Sequence, residues 1–172
     1  VGAPTEYYVD PAGGNDTTGN GSIGTPWKTV QKALNTITKN TTSGDRINIK
    51  AGTADVLGAA LSFATYGAGG ATSPLILQGY TSAAGDGGIG EIDGAGSYAI
   101  SAGNNYTFYR DLKMGNCGSA AVVNVGGAGS SSHIINCEIY GTSGNGINSG
   151  NQCYVDGCYI HDIGGIGVSS VF

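Results

Sequence analysis

The chain has 172 residues, a length that suits one domain. Glycine supplies 33 of them, charged residues make up only 11%, and the net charge is −5. A glycine-rich chain with no G-X-Y period is not collagen, seven scattered Lys and Arg exclude a nucleic-acid surface, and no apolar run of ~18 residues is present to span a membrane.

Tyr7 to Val9 reads as a short strand stopped by Asp10-Pro11. Residues 10–26 form a turn-rich loop. The stretch DPAGGNDTTGNG lacks EF-hand spacing and a closing Glu, so Asx and glycine turns are expected there rather than a calcium loop. TPWKTVQKALNTITK predicts one amphipathic helix, with Thr25 as N-cap and Pro26 in the first helical position. Val30, Ala33, Leu34 and Ile37 make its apolar stripe. RINIK alternates and predicts a strand with Ile47 and Ile49 on one face. A looser Ala/Gly segment covers 53–73. LILQGY predicts a strand with Leu75 and Leu77 inward, SAAGDGG a turn, and EIDG and YAIS two further short strands.

From there the chain repeats itself. NCEIYGTSGNGI is followed 21 residues later by GCYIHDIGGIGV, aligning Cys137 with Cys158, Ile139 with Ile160 and Ile147 with Val168. A shift of 25 places Leu112, Met114 and Val122 on Cys137, Ile139 and Ile147, with four extra residues assigned to NVGGAGSS at 124–131. Each unit is too short to bury its own apolar residues, whereas stacked copies can. The period of two within a unit selects strands. An all-β right-handed parallel β-helix is therefore expected, with each layer bonded to the next; a β-sandwich, the competing all-β reading, does not require register-preserving repeats. Residues 1–45 then supply an N-terminal strand, a loop and a helix capping the first layer, and 46–172 about five layers. The last repeat runs out at GIGVSSVF, so further chain, or self-association that could be trimeric, is expected to cover the end near Phe172.

The four cysteines, Cys117, Cys137, Cys153 and Cys158, have poor zinc spacing and are expected to be free thiols of the core. No metal or other cofactor is expected. Tyr140 and His161 occupy equivalent outward positions in successive repeats, with Tyr159 two residues before His161. These three form a candidate carbohydrate platform, against the plainer reading of a stacking ladder that stabilises the fold.

YYVDPAGGND, GTPWKTVQKALNTI and GDRINIKAGT, followed by the two repeats, resemble the pectate-lyase-like superfamily of right-handed parallel β-helices. That resemblance implies a fold shared by polysaccharide lyases, glycoside hydrolases and phage tail spikes. In the lyases, acidic residues hold calcium beside an acidic sugar while Lys or Arg removes a proton. Arg110, Asp111, Lys113, Glu138, Asp156 and Asp162 do not spell such a set, and Lys113 over Glu138 reads as a surface ion pair. The hydrolase motifs N-x-D, D-D, G-H-G and R-x-K are missing; R-D-L-K at 110–113 is one residue too long. No catalytic residue is assigned. The expected function is a structural or adhesion module, an extracellular, cell-surface or virion rod that can contact polysaccharide. The alternative is the N-terminal part of a polysaccharide lyase, or less readily a hydrolase, acting on acidic polysaccharide. Calcium enters only under that alternative.

Overall fold

A computed structural model describes residues 2–102, 106–125, 131–149 and 152–170. Strand β1 (Thr5–Val9) precedes helix α1 (Val30–Thr36), after which come β2 (Asp45–Lys50) and β3 (Asp55–Val56). Four layers' worth of chain then begins with β4 (Leu75–Tyr80), β5 (Gly90–Asp93) and β6 (Ser101–Ala102), followed by β7 (Thr107–Arg110), β8 (Leu112–Gly118) and β9 (Val123–Val125). Next are β10 (Ser132–Ile135), β11 (Glu138–Thr142) and β12 (Ile147–Ser149), and last β13 (Cys153–Asp156), β14 (Tyr159–Ile163) and β15 (Val168–Ser170).

The protein is mostly β, and the pairings between these strands are all parallel. Three sheets result: β1-β2-β4-β7-β10-β13, then β3-β5-β8-β11-β14, then β6-β9-β12-β15. From β4 onward the chain visits the three sheets in one order and returns to the first a strand further along. Side chains that face inward therefore stack in columns. Tyr7, Ile47, Leu77, Tyr109, Ile134 and Val155 form one, each in register with the next. Ile92, Met114, Ile139 and Ile160 form a second, and Val123, Ile147 and Val168 a third. The middle members are fully buried, each contributing about 1.5–3 kcal/mol by leaving water.

In the last three layers only one or two residues join the first sheet to the second, and the first of them takes the left-handed backbone region. Asp111 (φ 51), Asn136 (φ 51) and Gly157 (φ 60) occupy it in successive layers. Asp, Asn and Gly are the residues that tolerate this conformation. The Asn136 amide donates to Asp111 Oδ1 at 2.7 Å, and the backbone ladder continues through the turn from Asn136 N to Asp156 O at 2.9 Å.

Several details differ from the sequence expectation. The helix is shorter than 25–39 and starts later: Thr29, not Thr25, is the N-cap, accepting from Lys32 N at 3.1 Å. The reason lies in competing bonds. Trp27 N donates to Tyr8 O at 3.1 Å and pairs with Val9 as a strand bridge, so Pro26 and Trp27 are held extended. The stripe Val30, Ala33, Leu34 and Ile37 is buried as expected, packed in the common core with α1 against β1 and β2. Ile147 pairs with Val123 rather than Val122, because β8 carries a one-residue bulge between Gly115 and Gly118. One of the four extra residues is thus in that bulge, and three fall between Val125 and Ser132. The strand read at YAIS is Ser101–Ala102 instead, and β3 lies in the segment read as loose. All four cysteines are free. In the last layer Cys153, Val155, Cys158 and Ile160 are only partly covered, and Phe172 lies outside the described residues.

Candidate functional site

The outer face of the second sheet carries two rows, between which the inward column alternates. One row runs Glu91, Lys113, Glu138, Tyr159 and the other Asp93, Gly115, Tyr140, His161, each pair in register across neighbouring strands. The three residues expected to share a platform are thus brought together. Tyr140 and His161 stack at 6.0 Å between centroids with their planes 17° apart, and Tyr159 stacks on His161 at 4.5 Å and 26°. Tyr159 is 66% exposed.

Gly115 explains how Tyr140 lies flat. A Cβ at that position would sit 2.4 Å from Tyr140 Cδ1, so any other residue would push the ring off the sheet. Laid over Gly115, Tyr140 reaches back two strands and its hydroxyl donates to Glu91 Oε1 at 3.2 Å. Lys113 Nζ stands 4.9 Å above the Tyr140 ring and 3.4 Å from Glu138 Oε1. Glu138 Oε1 also meets His161 Nε2 at 3.2 Å, while His161 Nδ1 meets Asp162 Oδ2 at 2.8 Å. The strip is therefore a flat aromatic surface edged by four carboxylates, Glu91, Asp93, Glu138 and Asp162, with one lysine among them.

These contacts set the protonation of the strip. The hydrogen bond to Asp162 is the chief cause that raises the His161 pKa above its ordinary 6.5, with Glu138 adding to it. Burial, then the neighbouring Glu91, raises the Tyr140 hydroxyl. A second aromatic row, which sequence reasoning missed, crosses the first sheet: Phe108 stacks on His133 at 4.3 Å, and His133 meets Tyr154 at 5.5 Å. Here the histidine is shifted the other way, lowered by burial and then by the Arg110 charge. The missed signal was the same 25- and 21-residue spacing, applied to Phe108, His133 and Tyr154.

Opposite shifts give a testable pair. His161 stabilises the fold fully below pH 6.5 and loses that contribution as pH rises through its raised value. His133 works in reverse: its neutral form suits the fold, and stability is lost as pH falls from 6.5 toward its lowered value. Titration of the two ring Cε1 protons by NMR should place His161 above His133; coincident or inverted midpoints would refute the contacts described for one or both rings.

A different cleft flanks the start of α1. Two adjoining hollows of about 240 and 290 Å3 share Thr29, Asp55 and Val56 in their walls. Asp55 is buried and its carboxyl is pushed up by that burial, but it accepts Val30 N at 2.7 Å. Asp16 accepts Lys28 N, Thr29 N and Thr29 Oγ1 at 2.7–3.1 Å. Both carboxylates thus anchor the helix start. Among the described residues, no three His, Cys, Asp or Glu side chains gather where they could hold a metal ion, and no helix is long and apolar enough to cross a membrane. No family model matches the chain, and no curated protein or solved structure matches it at a significant level.

Proposed function

We propose that the three sheets are faces of one right-handed parallel β-helix, and that the protein is a structural or adhesion module contacting glycan through the strip of Tyr140, Tyr159 and His161. The cyclic order of the strands supports the first part, together with the strong right-handed bias of parallel crossovers. The resemblance to pectate-lyase-like chains supports it further. The single observation carrying the second part is the flat stack of Tyr140, His161 and Tyr159 on the outer face. A sugar ring can lie on such a surface, with hydroxyls reaching Glu91, Glu138 and Asp162. The carboxylate edge favours neutral or amine-bearing sugars, since an ammonium is drawn to both the ring faces and the acids. It opposes an acidic polysaccharide, the substrate class of the rival lyase reading. An extracellular, cell-surface or virion position, with or without trimeric self-association, belongs to this reading.

The test is retention on immobilised neutral, amine-bearing and acidic glycans, compared with the double variant Tyr140→Ala/His161→Ala. The proposal expects retention of the first two classes, at least tenfold weaker in the double variant with an unchanged circular dichroism spectrum. Equal retention by a folded double variant would overturn the site. Release of unsaturated, ultraviolet-absorbing product from pectate or alginate would replace the adhesion reading with the lyase.

A further inference from the structure

Cys137 and Cys158 immediately precede Glu138 and Tyr159, which are register partners in β11 and β14. The Tyr159 amide donates to the Cys137 carbonyl at 2.9 Å, so the parallel ladder reaches back to the cysteines themselves. Neighbouring strands lie roughly 4.8 Å apart, inside the Cα separation of about 4.4–6.8 Å that a disulfide spans. The two sulfurs point the same way: Cys137 Sγ lies 3.3 Å from Ile135 O and Cys158 Sγ 3.4 Å from Asp156 O, the register partner of Ile135, and Cys158 Sγ also reaches back across the layer to lie 3.4 Å from Ile134 O. They differ in access. Cys137 is 2% exposed, whereas Cys158 is only partly covered.

We propose that Cys137 and Cys158 are a redox pair that closes a disulfide between the last two layers by exchange with a small disulfide such as oxidised glutathione. The accessible Cys158 thiolate attacks one glutathione sulfur. The S–S bond of glutathione breaks, one glutathione thiolate leaves, and a mixed disulfide forms on Cys158. Cys137 then attacks Cys158 Sγ, yields its proton to solvent and expels the second glutathione. Two cysteine thiols are oxidised, and one glutathione disulfide is reduced to two glutathiones. The roles suit the environments. The Cys158 thiol is lowered chiefly by the hydrogen bond from Cys137, and Cys137 is raised by that same bond and by burial. The attacking thiol is thus the less buried, more acidic one, as exchange chemistry requires. Closure would tie β14 to β11, the contact on which the aromatic strip is built, although the cysteine pair itself does not depend on glycan binding.

The folded chain should be incubated with oxidised glutathione, alkylated without reduction, and mapped by peptide mass spectrometry. The expected result is loss of two hydrogens, a linked Cys137–Cys158 peptide, alkylated Cys117 and Cys153, and a raised midpoint of thermal unfolding. Cys153→Ser should keep the link, and Cys137→Ser should stop the reaction at a glutathione adduct on Cys158. A stable adduct on unmodified protein, a Cys153–Cys158 link, or four alkylated thiols would each overturn the proposal. The peptide map of the unsubstituted chain decides this even if a serine variant does not fold.

Discussion

Gly79→Ala is expected to cost more than about 4 kcal/mol, most of the stability of a domain that holds roughly 5–15 kcal/mol in all. Gly79 sits in β4 under the Asp111 corner, where the chain leaves for the 81–89 loop and returns at Gly90. A Cβ there would lie 2.2 Å from Asp111 O, 2.2 Å from Gly88 O and 2.4 Å from Gly90 N. All three are backbone atoms, so no rotamer change relieves the clash. Asp111 O also accepts Gly90 N at 3.1 Å, and displacing it would open the ladder to β8. Gly58→Ala is the control. Its Cβ would meet nothing within 4 Å, and the change should stay within about 0.5 kcal/mol. Urea unfolding of the two variants measures the difference; equal midpoints would mean that β4 does not pass beneath the corner.

The second large effect separates the layers. Ile139 is fully buried between Met114 and Ile160, and its truncation to Ala should cost about 2–5 kcal/mol. Ile160 occupies the same column one layer on, but is only partly covered. The same truncation there should cost less than half as much, because water already reaches the site and little cavity forms. Chemical denaturation of both variants checks this. Equal losses would show that something covers the last layer in solution.

Much of this was readable in the residues. The Cys137/Cys158 and Ile139/Ile160 spacing gave the register found between β11 and β14, and the outward alignment of Tyr140 with His161 followed from it. Period-two alternation is enough for that, because a one-residue slip would turn every side chain to the wrong face. What the residues concealed were competitions between bonding partners. Propensity at Thr25-Pro26 favours a helix start, yet Tyr8 and Val9 claim Trp27 for a strand bridge and delay it to Thr29. The bulge at Gly115–Gly118 shifts Val123 under Ile147 by one residue, and nothing local in that stretch announces it. The contact of Tyr140 with Glu91 depends on Gly115 lying between them, a relation across three layers that no repeat alignment contains. β3 is two residues long and takes its strand geometry from Ile92 and Asp93, not from its own sequence.

The layered register is the claim on which strip, cysteine pair and stability effects all stand. Scalar coupling through hydrogen bonds, measured by NMR on isotope-labelled protein, reads it directly. Coupling from the Tyr159 amide nitrogen to the Cys137 carbonyl carbon, and from the Asn136 amide nitrogen to the Asp156 carbonyl carbon, is predicted from bonds of 2.9 Å each. Coupling of these amides to other carbonyls, in the pattern of an antiparallel hairpin, would contradict it.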